Sequence, residues 1–188
     1  MEKNTLINEI NDHIELVNSL KNELPEKIKH VTSKIKNAIN SSNKIILFGN
    51  GGSAADAQHI AAEFTGRFVK ERKGLPALAL TTDTSALTAI GNDYGFEFIF
   101  SRQVDAIAKP GDILIGISTS GNSNNVIKAF ESGKVLDCYC ISLTGKNGGQ
   151  IAKISDFNIN INHMVTARIQ EMHILIGHLI CSKIDQSY

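Results

Sequence analysis

The sequence predicts an α/β fold, a three-layer αβα sandwich around a five-stranded parallel sheet, preceded by N-terminal helices. Three observations point there. From Lys44 onward, short apolar runs alternate with helix-length segments, the pattern of a parallel sheet covered on both faces. Two of those runs open directly into loops of glycine and serine. Ahead of Lys44 the apolar residues recur with helical spacing only.

Leu6, Ile10, Ile14, Val17 and Leu20 repeat at three- and four-residue steps, and Ile28, Val31, Ile35 and Ala38 do so after Pro25. The proline and its charged neighbours predict a break between two helices. Each has a narrow apolar stripe suited to packing on the domain or on another subunit. The predicted strands are Lys44–Phe48, Pro76–Leu80, Asp112–Ile117, Leu136–Leu143 and Phe157–Ile161. Helices are expected over 53–65, 83–108, 121–133 and 146–153, and a last one from Thr166 to Gln186. No low-complexity stretch or linker interrupts this order. The expectation is therefore one domain over 1–188, with packing helices in 1–42 and an α/β core in 43–188.

With 188 residues, 42% of them apolar and 20% charged, the chain can bury a sizeable core. Lysine plus arginine equals aspartate plus glutamate at 19 each. No net field then draws it to nucleic acid or a membrane, and neither partner is expected. A phosphate site stays open, because helix N-termini bind anions without net basicity. The three cysteines include no CxxC pair and argue against a disulfide framework. Cys138 and Cys140, on one face of a predicted strand, read as buried thiols. The N-terminus has no apolar signal segment and no run approaches the ~20 residues that span a bilayer, so the cytoplasm is the expected location.

The first loop, Gly49-Asn50-Gly51-Gly52-Ser53, stands between a strand and a helix. Its glycines let the backbone turn sharply towards an anion, and the helix start presents unpaired amides. The second, Ser118-Thr119-Ser120-Gly121-Asn122-Ser123, offers hydroxyls and amides together. Both lie beyond the carboxyl ends of strands, where open parallel sheets bind ligands. Gly49-x-Gly51-x-x-Ala54 also satisfies a permissive dinucleotide fingerprint. However, the acid at Asp83 comes about 30 residues on rather than ~20, and no GK[ST] follows either loop. Two such loops favour a monophosphate on a polar carbon chain.

These residues resemble the SIS (sugar isomerase) domain and, more narrowly, the phosphoheptose isomerase family, over essentially the whole chain. The resemblance is carried by Phe48-Gly49-Asn50-Gly51-Gly52-Ser53-Ala54-Ala55-Asp56-Ala57-Gln58-His59 and Ala62-Glu63-Phe64-Thr65-Gly66-Arg67. It continues through Ala89–Gly95, Ile99–Val104, Gly116–Ser123 and Thr166-Ala167-Arg168-Ile169-Gln170-Glu171-Met172-His173. It implies a flavodoxin-like fold and conversion of D-sedoheptulose 7-phosphate to D-glycero-D-manno-heptose 7-phosphate, the entry to bacterial heptose synthesis for lipopolysaccharide or capsule. It further implies a homotetramer with active sites near subunit interfaces and one zinc ion per subunit. The implied zinc ligands are His59, Glu63, Gln170 and His178. The implied substrate contacts are Asn50, Gly51, Gly52, Ser53, Glu63, Asn92, Asp93, Ser118, Thr119, Ser120, Ser123 and Gln170. The segment Ile161-Asn162-His163-Met164-Val165 departs from the family pattern, where a proline and small residues are usual.

The chemistry is consistent with that set. Moving a carbonyl from C2 to C1 through an enediol needs a base beside the carbons and an acid or Lewis acid at the oxygens. His59 and Glu63, four residues apart on a predicted helix, face one point. Glu63 is the expected base and His178 the expected partner acid. A zinc-bound carboxylate is a weaker base, so either that bond loosens during turnover or zinc is mainly organisational. Gln170 and His178, eight apart, differ by about 12 Å of helical rise. Either they lean together or one is borrowed from a neighbouring chain. His173, three beyond Gln170, is a rival ligand, while Arg67 and Arg102 read as solvated or ion-paired. Three other functions compete: a non-catalytic SIS interaction protein of the replication-initiator-associating type, a dinucleotide binder, and an SIS isomerase for another sugar phosphate.

Overall fold

The structure, a computed structural model, describes residues 2–188, with side chains from Asn4 onward. Its helices in chain order are α1 (Glu2–Leu20), α2 (Leu24–Asn40), α3 (Gly52–Thr65), α4 (Thr84–Asp93), α5 (Ser101–Ile107), α6 (Asn124–Val135), α7 (Gly149–Ile154) and α8 (Thr166–Asp185). The strands are β1 (Ile45–Gly49), β2 (Ala77–Ala79), β3 (Ile113–Ser118), β4 (Tyr139–Gly145) and β5 (Phe157–Ile161). All pairings are parallel, in the order β2-β1-β3-β4-β5. This is the doubly wound order in which the chain reverses direction across the sheet between β1 and β3.

The strands are apolar on both faces because helices cover both. Ile45, Leu47, Ile113, Ile115, Ile117, Ile141, Leu143, Ile159 and Ile161 share one core with α1, α2, α3 and α8. The alternate positions Ile46, Phe48, Leu114 and Cys140 face the other core, under α5, α6 and α7, with Leu87 and Ile90 of α4 at its margin. Phe130 of α6 fills that second layer with no exposed surface, against Phe48 at 5.7 Å between ring centroids. Among the described residues, no helix is long and apolar enough to cross a membrane.

Most boundaries fall within one or two residues of expectation, and the exceptions have local causes. The stretch 83–108 is two helices joined by a 3-10 turn at Phe96–Phe98, because Gly95 takes φ +103° and breaks the helical path. The strand expected from Leu136 begins at Tyr139: Leu136 ends α6, and Asp137 turns the chain with φ +54°. The helices expected from 121 and 146 start three residues later, since the loops run on to the caps Ser123 and Gly148. Pro25 sits in the first turn of α2, where its missing N–H is not needed.

Candidate active site

The two Gly/Ser loops meet where β1 and β3 lie side by side. Gly49 pairs with Ile117, so the strands end level and both loops leave the same edge of the sheet. At the first loop, Gly51 takes φ +57°, a conformation that favours glycine, and serves as the cap of α3. Its carbonyl accepts from the Ala54 and Ala55 amides at 3.0 and 3.2 Å. At the second, the buried Ser118 hydroxyl lies 2.8 Å from Ser123 Oγ and 3.4 Å from Ser120 Oγ, while the Asn122 amide donates to Ser120 Oγ at 3.1 Å. A cleft of about 400 Å³ opens between the loops, lined by Asn50, Phe96, Glu97, Ser123, Asn124 and Asn125. Phe96, Glu97, Asn124 and Asn125 were not among the residues expected there.

A second cluster lies on the opposite layer, where α8 runs along α3. Gly177 makes the close approach possible: a Cβ there would sit 2.5 Å from Ile60 Cδ1. Beside this contact His59 Nε2 is 3.2 Å from Glu63 Oε1 and 3.3 Å from His178 Nε2. Phe68 packs on His178 with ring centroids 5.8 Å apart. His178 therefore joins His59 and Glu63 of its own chain. Gln170 lies elsewhere on α8, with its amide against Gly52 at the start of α3.

His59 Nε2 thus faces two other electron-pair donors, Glu63 Oε1 and His178 Nε2, and a proton or a cation between them would hold these contacts together. The two His59 separations match the edge of a tetrahedron with zinc bonds of about 2.0–2.1 Å. The residues fit zinc in donor type and in these edges. Among the described residues, however, no group of three or more His, Cys, Asp or Glu side chains is disposed to hold a metal ion, so the imidazole and carboxylate donors do not by themselves form a closed shell.

Other expected residues have separate roles. Asn92 and Asp93 end α4, exposed, with Asn92 donating to Asp93 Oδ1 at 2.8 Å. His173 is fully buried, with Nε2 3.0 Å from the Thr144 carbonyl. Burial pushes its pKa down to about 4, against a smaller upward pull from that bond. Arg67 pairs with Glu71 at 3.4 Å and Arg102 stacks on Tyr94 at 4.2 Å. His163 Nε2 lies 3.2 Å from Asp12 of α1, so the divergent loop serves helix packing. Asp56, one turn before His59, is pushed up by burial despite the opposing pull of His59.

The segment after α3 is held by a buried ion pair. Arg72 Nε donates to Asp185 Oδ1 at 2.8 Å, and its terminal nitrogens donate to the Phe64 and Glu63 carbonyls, each at 2.9 Å. Burial pushes the Asp185 carboxyl up, but the Lys70 and Val69 amides and the Arg72 guanidinium outweigh it and hold the group below its ordinary value.

Fold and site together define a sugar-phosphate-binding α/β protein of the isomerase type, and the SIS domain family matches residues 10–145. The chain is 52% identical to a phosphoheptose isomerase of Aliarcobacter butzleri over 97% of both sequences. Its structure superposes on a phosphoheptose isomerase from Neisseria gonorrhoeae with a TM-score of 0.94 at 46% identity, covering 99% of this chain and 100% of that one. For the Francisella tularensis phosphoheptose isomerase the TM-score is 0.96 at 35% identity, covering 99% of each chain. The chain belongs to the phosphoheptose isomerase family of SIS-domain proteins.

Proposed function

We propose that this chain is a sugar-phosphate isomerase that converts D-sedoheptulose 7-phosphate to D-glycero-D-manno-heptose 7-phosphate through an enediol. The observation that carries the reading is the meeting of His59, Glu63 and His178 on α3 and α8, in the layer next to the two phosphate-competent loops. A binding module needs the loops; only proton transfer needs the cluster.

The work divides between the two parts. Gly51, Gly52 and Ser53, with Ser118, Thr119, Ser120 and Ser123, take the phosphate, and Asn50, Asn92, Asp93 and Gln170 complete the substrate contacts. Helix-start amides favour the dianion without net positive charge. Glu63, with 23% of its side chain exposed, is sheltered yet reachable, and as base it takes a proton from C1 and returns it to C2 of the enediol. His178 moves the accompanying proton between the two oxygens, a task for which an imidazole is suited near neutral pH. His59 holds both partners in position. Zinc, if held by His59, Glu63 and His178, would supply Lewis-acid polarisation of the carbonyl, with Gln170, the fourth ligand the resemblance implies, standing instead against Gly52. A homotetramer in the cytoplasm, feeding heptose to lipopolysaccharide or capsule and using α1 and α2 in packing, is part of the same proposal.

The test is turnover of D-sedoheptulose 7-phosphate, followed as aldose formation, with the zinc content of the purified protein measured alongside. Glu63→Gln is expected to lower kcat by about 10²- to 10⁴-fold, the usual worth of a general base, with an unchanged melting temperature. Folded, zinc-loaded wild type that makes no aldoheptose phosphate refutes the reading.

A further inference from the structure

Asn125 is not among the contacts the family resemblance implies, yet it ties the two loops together. It stands in the first turn of α6 and is 2% exposed. Its Nδ2 donates to Asn50 Oδ1 at 2.8 Å, and Asn50 Nδ2 donates back to Asn125 Oδ1 at 2.9 Å. Such a closed exchange requires a donor and an acceptor on the same edge of each side chain, which an amide provides. An isolated amide on a loop can turn over and present either its oxygen or its nitrogen. Paired in this way, Asn50 cannot. Each amide keeps one N–H and one oxygen lone pair. Those of Asn50, a half-buried residue lining the cleft, are held in one orientation.

We propose that Asn125 is a positioning residue for the bound sugar phosphate: it fixes Asn50, and with it the glycine loop, in register with the serine loop. This rests on the isomerase reading above. The pair lies on the α6 side of the sheet, whereas His59, Glu63 and His178 belong to helices of the opposite layer. Loss of the pair therefore weakens substrate binding and leaves proton transfer intact.

Asn125→Ala is expected to raise KM for D-sedoheptulose 7-phosphate by about tenfold, the worth of a buried hydrogen bond, with kcat within about twofold of wild type. The sharper variant is Asn125→Asp. An ionised carboxylate has no donor for Asn50 Oδ1, whereas a protonated one has an O–H and a carbonyl on one edge and rebuilds the exchange. The ratio of the variant's KM to that of wild type at the same pH should then fall towards one as the medium is acidified into the carboxyl's titration range. A merely structural role gives no such recovery. A pH-independent ratio, or a loss confined to kcat, overturns the proposal. Should Asn125→Ala fail to fold, the Asn125→Asp series decides alone, since its comparison is made within one folded protein. Wild-type turnover in the same assay tests the isomerase reading separately.

Discussion

Replacing Gly177 by alanine tests whether helix approach brings the reacting groups together. A Cβ at 177 would lie 2.5 Å from Ile60 Cδ1 and 2.7 Å from Ile60 Cγ1. Carbon atoms in contact rest about 3.5–4.0 Å apart. So α8 must retreat by about 1 Å, or Ile60, 2% exposed in a packed core, must leave its rotamer. Overpacking of this kind costs about 1–3 kcal/mol, and removing a glycine from a helix interior returns roughly 1 kcal/mol. The net destabilisation expected for Gly177→Ala is thus about 0–2 kcal/mol, small enough to keep the protein folded at assay temperature. Catalysis should suffer more. The 3.3 Å contact between His59 and His178 spans the same helix pair, one residue from the clash, and a displacement of about 1 Å at reacting groups can cost 10²-fold. Urea unfolding and steady-state kinetics on D-sedoheptulose 7-phosphate read the two effects separately. Adding Ile60→Val removes Cδ1, the nearer clashing atom, and should recover part of kcat. Wild-type kcat in Gly177→Ala, or a double variant slower than the single, would refute the reasoning.

The buried pair and the buried imidazole give two further expectations. Arg72→Ala leaves the Asp185 carboxylate, with 7% of its side chain exposed, without its cation, and breaking a buried pair costs about 3–5 kcal/mol; a loss under about 1 kcal/mol in urea unfolding would show the latch to be dispensable. For His173, burial holds the folded pKa at about 4, below the ordinary imidazole value of 6.5. Above pH 6.5 both folded and unfolded chains hold it neutral and it contributes no slope. As the pH falls from 6.5 to about 4, the unfolded chain takes up a proton that the folded one refuses. Stability should drop across that window by about 3 kcal/mol, at about 1.4 kcal/mol per unit. His173→Gln, which keeps a donor for the Thr144 carbonyl, should flatten this part of the profile, and an identical slope in both proteins would rule His173 out.

The sheet was legible because its signals are local. Ile45 to Phe48 and Ile113 to Ile117 are apolar throughout, and Gly49 and Ser118 then open the loops. The same locality made the His59 and Glu63 spacing readable, since four residues on a helix share a face. What failed to appear depends on contacts distant in sequence. Nothing near His178 says that Gly177 lets α8 settle on Ile60, so whether His178 joined its own chain's site could not be decided from spacing. Asn125 looks like any polar residue in a first helical turn, and its partner is 75 positions away. A further error was local: Leu136 and Asp137 continue an apolar-looking run, but the positive φ at Asp137 leaves no such trace in hydropathy.

The order of elements along the chain bears on how this molecule is made. The loops proposed to grip the phosphate follow β1 and β3, but His178 and Gln170 lie on α8, the last helix described. A ribosome releases that helix after all five strands, and its Ile169, Met172, Ile176, Ile180 and Ile184 then seal one face of the sheet. The residues that close the core are interleaved with those proposed above to do the chemistry. A nascent or C-terminally clipped chain is thus left sticky and, on that proposed assignment, inert as well, which would make completion of the fold a condition for turnover.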